Sequence, residues 1–166
     1  ISLSDKSIRM LKTSTNNFVL ALDSDPAGIK AMSRINSDLM ANGVVAKFLD
    51  FSPYKDPDEF IINKGKKELE KKIINAPLFI DQEIQILLDK REPQTLEKKL
   101  SLLDEVFGLV SPLGERLLAT EKIVQIAKKL ELSSNSDQII NVYRKFLIDR
   151  GKKVKNELVF TKSSQG

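Results

Sequence analysis

The spacing of apolar residues changes near residue 57 of the chain. Residues 17–23 contain a continuous apolar run, Phe18 to Leu22, and together have strand length; residues 44–51 form a second run rich in β-branched and aromatic side chains. Runs of this kind are typical of strands buried in a parallel sheet. Pro26 and Gly28 interrupt the first run, and a helical pattern follows to Asn42. The pattern predicts one strand–helix–strand unit, preceded by a short helix from Ser4 to about Thr13.

Beyond residue 57 the apolar residues recur at helical spacing only. We predict helices near residues 58–75, 78–90, 94–110, 113–131 and 134–149, with Leu117, Ala127 and Tyr143 among the core positions. Pro77, Pro93 and Pro112 mark the breaks, because proline is tolerated at a helix start and not inside a helix. The expected fold class is α/β followed by α. The expected domains are residues 1–75, a helical subdomain at 76–150 and a loosely ordered basic tail at 151–166.

The chain contains neither cysteine nor histidine. Thiolate and imidazole ligands are therefore absent from the sequence, and a zinc site is not expected. A metal bound by this chain would be a hard cation held by oxygen atoms. No apolar run approaches the roughly 20 residues of a membrane span, and the net charge of +4 is mild. We expect a cytoplasmic protein without a membrane partner.

Two acidic pairs follow the two predicted strands. Asp23-Ser-Asp25 ends the first strand, and Asp56-Pro-Asp58 comes soon after the second. Parallel adjacent strands bring their carboxyl ends to one edge of a sheet, which is where ligands bind in open α/β folds. Carboxylates that converge there repel one another unless a cation lies between them. The alternative is that these aspartates only cap helices, as aspartate often does.

Basic residues lie close to the acidic pairs. Lys30 and Arg34 are one turn apart on the helix that follows Asp25, and Lys55 precedes Asp56. These side chains could contact phosphate groups, which are bound by lysine and arginine. For Lys30 and Arg34 an exposed helical face without a ligand is an equally good interpretation.

Both acidic segments resemble motifs of one family. The first segment resembles the Asp-x-Asp motif of the TOPRIM fold in the form found in bacterial DnaG-type primases. It reads Phe18-Val-Leu-Ala-Leu-Asp-Ser-Asp-Pro-Ala-Gly28, followed by Ile29-Lys-Ala31. Lys55-Asp-Pro-Asp-Glu-Phe60 resembles their next acidic motif. The region at 76–149 is similar in placement to the helical subdomain of those enzymes. The resemblance implies a partial TOPRIM fold, that is, a fragment of a Rossmann-like parallel sheet, joined to a helical subdomain.

The resemblance also implies an activity and its partners. In the family, short RNA primers are made from ribonucleoside triphosphates on a single-stranded DNA template, through an RNA–DNA hybrid. Mg²⁺ or Mn²⁺ is the implied cofactor, with two or more ions in the complete enzyme, and Asp23, Asp25, Asp56 and Asp58 are the implied metal ligands and catalytic residues. A replicative helicase is the implied partner of the full-length protein.

The sequence departs from the family in one important respect. No strand ending in glutamate and glycine, the family's first acidic motif, precedes Asp23. We therefore expect that this chain alone does not make primers. The alternative is a non-catalytic module derived from the TOPRIM fold that binds DNA or a helicase.

Overall fold

The computed structural model describes the backbone of residues 3–21 and 25–163, and the side chains of these residues up to residue 151. The chain forms two compact units, Ile1–Arg91 and Glu92–Gly166. Within the described part of the chain, no helix has both the length and the apolar character that a bilayer crossing requires.

The first unit is built on two short parallel strands. Strand β1 (Val19–Leu20) pairs with β2 (Lys47–Phe48), with Val19 opposite Lys47 and Leu20 opposite Phe48. Helix α1 (Asp5–Ser14) precedes β1, and helix α2 (Pro26–Ala41) connects the two strands. The predicted strand–helix–strand unit is confirmed.

Within the described residues both strands are shorter than predicted, and residues 22 and 23 of the first predicted strand lie outside that part of the chain. We expected residues 17–23 and 44–51, whereas two residues of each form the described ladder. The reason is the extent of backbone pairing. The Lys47 amide donates to the Phe18 carbonyl at 2.8 Å and the Leu49 amide donates to the Leu20 carbonyl at 3.0 Å, so the bonded stretch of β1 spans 18–20. Continuous apolar character marks burial, but it does not fix where pairing ends.

The core of the first unit lies between the sheet and its helices. Ile8 of α1, Met32 and Leu39 of α2, and Leu20 of β1 are buried together with Phe79. Phe79 begins helix α5 (Phe79–Asp89), and its amide donates to the Ala46 carbonyl at 2.9 Å. Helix α5 therefore packs within the first unit. The expected domain division at residues 75 and 76 stays a prediction.

Two helices occupy the segment where we predicted one. Helix α3 (Pro57–Lys64) and helix α4 (Lys66–Ile74) are separated by Gly65, whose φ is 85°. That backbone conformation is costly for residues with a side chain and ends an α-helix readily at glycine. The predicted single helix at 58–75 is therefore wrong.

The second unit is helical in its described part. Helix α6 (Leu96–Val110) leads through a 3₁₀ turn (Ser111–Leu113) to α7 (Leu117–Lys129), and α8 (Ser136–Ser163) follows. Leu102, Val106, Phe107, Ile123 and Tyr143 are buried here. The Tyr143 hydroxyl donates to the Gly114 carbonyl at 2.6 Å, and its ring centroid lies 5.4 Å from that of Phe107.

Two expectations for the second unit are wrong. Leu117 is 74% exposed, because it is the first residue of α7 and lies outside the face that packs. Helix α8 extends to Ser163, whereas we expected it to end at 149; no proline follows to stop it. Residues 164–166 lie outside the described part, and the separate basic tail at 151–166 stays a prediction.

We predict that Tyr143→Phe lowers the free energy of unfolding by about 1 kcal/mol, because it removes one hydrogen bond to Gly114 and keeps the packed ring. Urea denaturation measures the change. The matched control is Tyr54→Phe, because the Tyr54 ring also packs against an aromatic ring: its centroid lies 5.5 Å from that of Phe60, in an edge-on arrangement. It should change stability by less than about 0.5 kcal/mol. Equal effects of the two substitutions would contradict the assigned role of the Tyr143 hydroxyl.

Candidate metal centre at the sheet edge

The topology of the first unit directs two acidic segments to the same edge of the sheet. Strands β1 and β2 are parallel and adjacent, so their carboxyl ends lie side by side. The chain leaves β1 towards Asp25 and leaves β2 towards Asp50, Asp56 and Asp58. Asp23, the other predicted ligand after β1, lies outside the described residues.

Asp25 is fixed by helix α2. It is the N-cap of that helix, with an extended backbone, and Pro26 occupies the first helical position. Its Oδ1 atom accepts a hydrogen bond from the Gly28 amide at 2.6 Å. Asp25 is exposed as a residue.

Asp56 is fixed in the same way by helix α3. It is the N-cap, Pro57 follows it, and its Oδ1 atom accepts from the Glu59 amide at 2.8 Å. The Glu59 carboxylate in turn accepts from the Lys55 amide at 2.6 Å. Asp58 lies exposed in the first turn of α3. The capping interpretation is therefore confirmed for Asp25 and Asp56, and it leaves their remaining oxygen atoms as possible ligands.

The donor set suits a hard cation, but the described residues do not form a complete site. Aspartate oxygen is the ligand that Mg²⁺ and Mn²⁺ prefer, and Mg²⁺ usually keeps several waters beside one or two carboxylates. Among the described residues, no group of three or more aspartate, glutamate, histidine or cysteine side chains could hold a metal ion. Asp23 lies outside the described part of the chain, and a metal site formed by the two acidic segments stays a prediction.

The three predicted basic contacts are exposed. Lys30 and Arg34 lie on α2, and Lys55 lies immediately before the α3 cap. None of them is buried against the core, so each can reach solvent near its acidic segment. Their contact with phosphate stays a prediction.

Sequence reasoning missed two features of this region. Asp50 comes two residues after β2, and its Oδ1 atom accepts from the Ser52 amide at 2.9 Å, so a fifth aspartate lies on the chain path along this edge. Its position at the end of an apolar run was the available signal. The second feature is a polar cluster of Ser33, Asn36 and Glu83 between α2 and α5. The available signal was a glutamate, Glu83, among the apolar residues of α5.

This cluster joins α2 to α5. The Glu83 carboxylate accepts from the Ser33 hydroxyl and from the Asn36 Nδ2 atom, the latter at 3.3 Å. Asn36 is fully buried, and its Oδ1 atom has no hydrogen-bond partner among the described residues. Burial raises the pKa of the Glu83 carboxyl, and the bonds from Ser33 and Asn36 oppose that rise only in part. The cluster therefore connects α2, whose first residue follows Asp25, to α5.

Comparison with known proteins finds similarity to one family model and to several DNA primases. Residues 1–61 match a family model described as Toprim-like. The chain is 28% identical over 148 residues to a DNA primase of Thermotoga maritima, covering 86% of this chain and 25% of the relative. It is 23% identical over 157 residues to a DNA primase of Chlamydia trachomatis, covering 94% of this chain and 26% of the relative.

Solved structures agree on the fold. A DNA primase domain from Pseudomonas aeruginosa superposes with a TM-score of 0.68 at 23% identity, over 86% of this chain and 45% of that one. A DnaG primase catalytic domain bound to single-stranded DNA gives 0.70 at 21% identity, over 82% of this chain and 44% of that one. The chain is similar in sequence to DNA primases and in fold to the catalytic cores of DnaG-type primases.

The relationship to DnaG-type primases confirms the fold class expected from the sequence, a partial TOPRIM fold followed by helices. It covers only a part of those enzymes. The chain spans about a quarter of the length of the DNA primases that it matches and less than half of the primase catalytic cores. The roles of the individual DnaG-like aspartates stay predictions.

We predict that Asp25→Ala and Asp56→Ala each lower the free energy of unfolding by about 1 kcal/mol, because each removes the cap of a helix. Asp25→Asn and Asp56→Asn should be nearly neutral, because asparagine caps as well as aspartate does. Chemical denaturation measures all four variants. If the alanine variants match the asparagine variants in stability, the caps make no net contribution.

We predict that Glu83→Gln changes how stability depends on pH. The folded state raises the pKa of Glu83, so it binds more protons than the unfolded state as the pH rises above the usual value of 4.5. Glu83 therefore makes the wild-type protein lose stability in that range, until the pH passes the folded-state pKa. The unfolding free energy of Glu83→Gln minus that of the wild type should therefore become more positive over the same pH range and then level off. A constant difference would contradict a raised pKa.

Proposed function

We propose that this chain supplies the acidic, metal-binding edge of a primase catalytic core that joins ribonucleotides on single-stranded DNA. The observation that carries the proposal is the parallel pairing of β1 and β2, which directs the segments of Asp25 and Asp56 to one edge of the sheet. The relationship to DNA primases supports the choice of reaction. Primer synthesis is assigned to this chain only as part of the proposal.

Asp23, Asp25, Asp56 and Asp58 are the residues that would hold Mg²⁺ or Mn²⁺. The ions, when bound, would neutralise and orient the phosphate groups of ribonucleoside triphosphates. The protein's own contribution is rigidity: each capping bond fixes one carboxylate oxygen on a helix N-terminus and leaves the other available. Lys30, Arg34 and Lys55 would hold phosphate groups of the nucleotide or of the RNA–DNA hybrid beside them.

We further propose that the chain does not make primers without the rest of a catalytic core. It spans 44% to 45% of the primase cores that it resembles, and nucleotidyl transfer depends on many groups held in fixed positions. A replicative helicase is the expected partner of the full-length protein. We assign no helicase docking to this chain by itself.

A second candidate function has specific support. Asp25 and Asp56 already serve as caps, and the described residues contain no group of three metal-ligating side chains. Both facts are expected for a non-catalytic module in which the acidic segments only shape the fold. Such a module would bind DNA or a helicase without needing a divalent ion.

Calorimetric titration with Mn²⁺ separates these two functions. We expect weak binding to the wild-type chain and a loss of at least about tenfold in affinity for Asp25→Asn and Asp56→Asn, since even the partners of metal ligands affect affinity by that factor. These variants keep their caps, so loss of binding cannot be assigned to unfolding. The matched control is Asp38→Asn near the other end of α2, which should bind as wild type does. Unchanged affinity in both cap variants would favour the non-catalytic module.

A further inference from the structure

A groove in the first unit lies beside the end of β2, and none of the predicted site residues lines it. Its volume is about 280 Å³. It is lined by Phe48, Leu49, Asp50, Lys72, Asn75, Ala76, Pro77 and Gln82. This volume is close to the lower end of the range of about 300–1,000 Å³ found for small-molecule sites. The groove therefore suits one ring system and its immediate substituents, not an extended cofactor.

One side of the groove is apolar and fixed in place. The Phe48 ring packs edge-on against Phe79, with centroids 5.5 Å apart, so Phe79 holds the ring from the core side. The Phe48 amide donates to the Pro77 carbonyl at 2.9 Å, which holds the opposite wall. Phe48 is only half-buried. An aromatic ring and a proline in a fixed arrangement offer an apolar surface for a planar heterocycle.

The rest of the groove lining is polar and carries two amides, one cation and the Asp50 carboxylate, whose Oδ1 atom accepts from the Ser52 amide at 2.9 Å. Asn75 donates through Nδ2 to the Lys71 carbonyl at 2.9 Å, which orients its amide. Gln82 is exposed on the first part of α5. Lys72 also lines the groove, and its ammonium lies 5.6 Å from the centroid of the Phe60 ring, an aromatic contact that restrains the side chain.

We propose that this groove binds one nucleotide unit. The base would lie against Phe48 and Pro77, the amides of Asn75 and Gln82 would bond to polar atoms on its edge, and Lys72 would hold its phosphate. Stacking on an aromatic side chain together with edge contacts is how proteins hold unpaired bases. The unit could be a free ribonucleotide or one residue of a single strand, and both share this chemistry. The choice of a nucleotide rests on the proposed function, but the groove does not use the acidic residues predicted to bind metal.

The binding site is mapped by nuclear magnetic resonance with isotope-labelled chain in the presence of a metal chelator. Adenosine monophosphate is the probe for a free nucleotide, and a short oligothymidylate is the probe for a single strand. We expect the largest shifts at the amide protons of Phe48 and Leu49 and at the side-chain amides of Asn75 and Gln82. Saturation by the mononucleotide identifies a free nucleotide as the source, and shifts with the oligonucleotide alone identify a strand. No metal is present, so this test can fail while the metal site stands, and the reverse also holds.

Substitutions on the exposed rim give the quantitative test. Lys72→Gln should weaken oligonucleotide binding about fivefold near 50 mM salt and lower the salt slope by about 1, because one phosphate contact is lost. Gln82→Ala should also weaken binding about fivefold, which corresponds to one hydrogen bond. The matched controls are Lys67→Gln on α4 and Gln85→Ala on α5, which should bind as wild type does.

Two results would overturn the proposal. The first is that the resonances of the groove residues do not shift with either probe. The second is equal weakening by Lys72→Gln and Lys67→Gln, which would mean that binding follows total charge and not the groove. All four substituted side chains lie outside the buried core, and thermal unfolding of each variant confirms that the fold is kept.

Discussion

The parallel pairing of β1 with β2 is the constraint on which the first unit depends. Two parallel strands cannot be joined by a tight turn, so the chain must cross over through α2 before it returns to the sheet. That crossover places the start of α2 and the loop before α3 after the same ends of the two strands. The pairing itself is short, and burial of Ile8, Met32, Leu39 and Phe79 around it stabilises it.

Helix capping and metal binding draw on the same carboxylates without excluding each other. A cap needs one oxygen of Asp25 or Asp56 to accept an amide hydrogen, while a hard cation needs one oxygen from each ligand. The cap also removes rotamer freedom before any ion arrives, which lowers the entropic cost of binding. The helix N-terminus, however, already offers partial positive charge to the aspartate. A divalent ion must therefore compete with that charge, which is one reason to expect weak binding by the chain alone.

The sequence was sufficient for the fold class and for the helices that follow the two acidic pairs. Asp25 and Asp56 are each followed by proline and are the N-caps of α2 and α3, as the capping interpretation expected, because an N-cap and a proline at the first position depend only on local geometry. The sequence was insufficient where contacts between distant segments determine the structure. The pairing of residues 77–79 with β2 and the exposure of Leu117 both depend on which neighbour a segment meets, and a periodic pattern carries no such information. The break at Gly65 is intermediate, since glycine is compatible with both a helix interior and a left-handed cap.

The central claim is that two acidic segments share one ion at the edge of the sheet. Paramagnetic broadening of amide resonances by Mn²⁺ tests it directly, because the effect reports proximity to the bound ion and not affinity. A shared ion should broaden the amides of Asp25, Ala27 and Gly28 and those of Asp56, Asp58 and Glu59 together, over the same range of Mn²⁺ concentration. Broadening of one segment while the other stays sharp would contradict it.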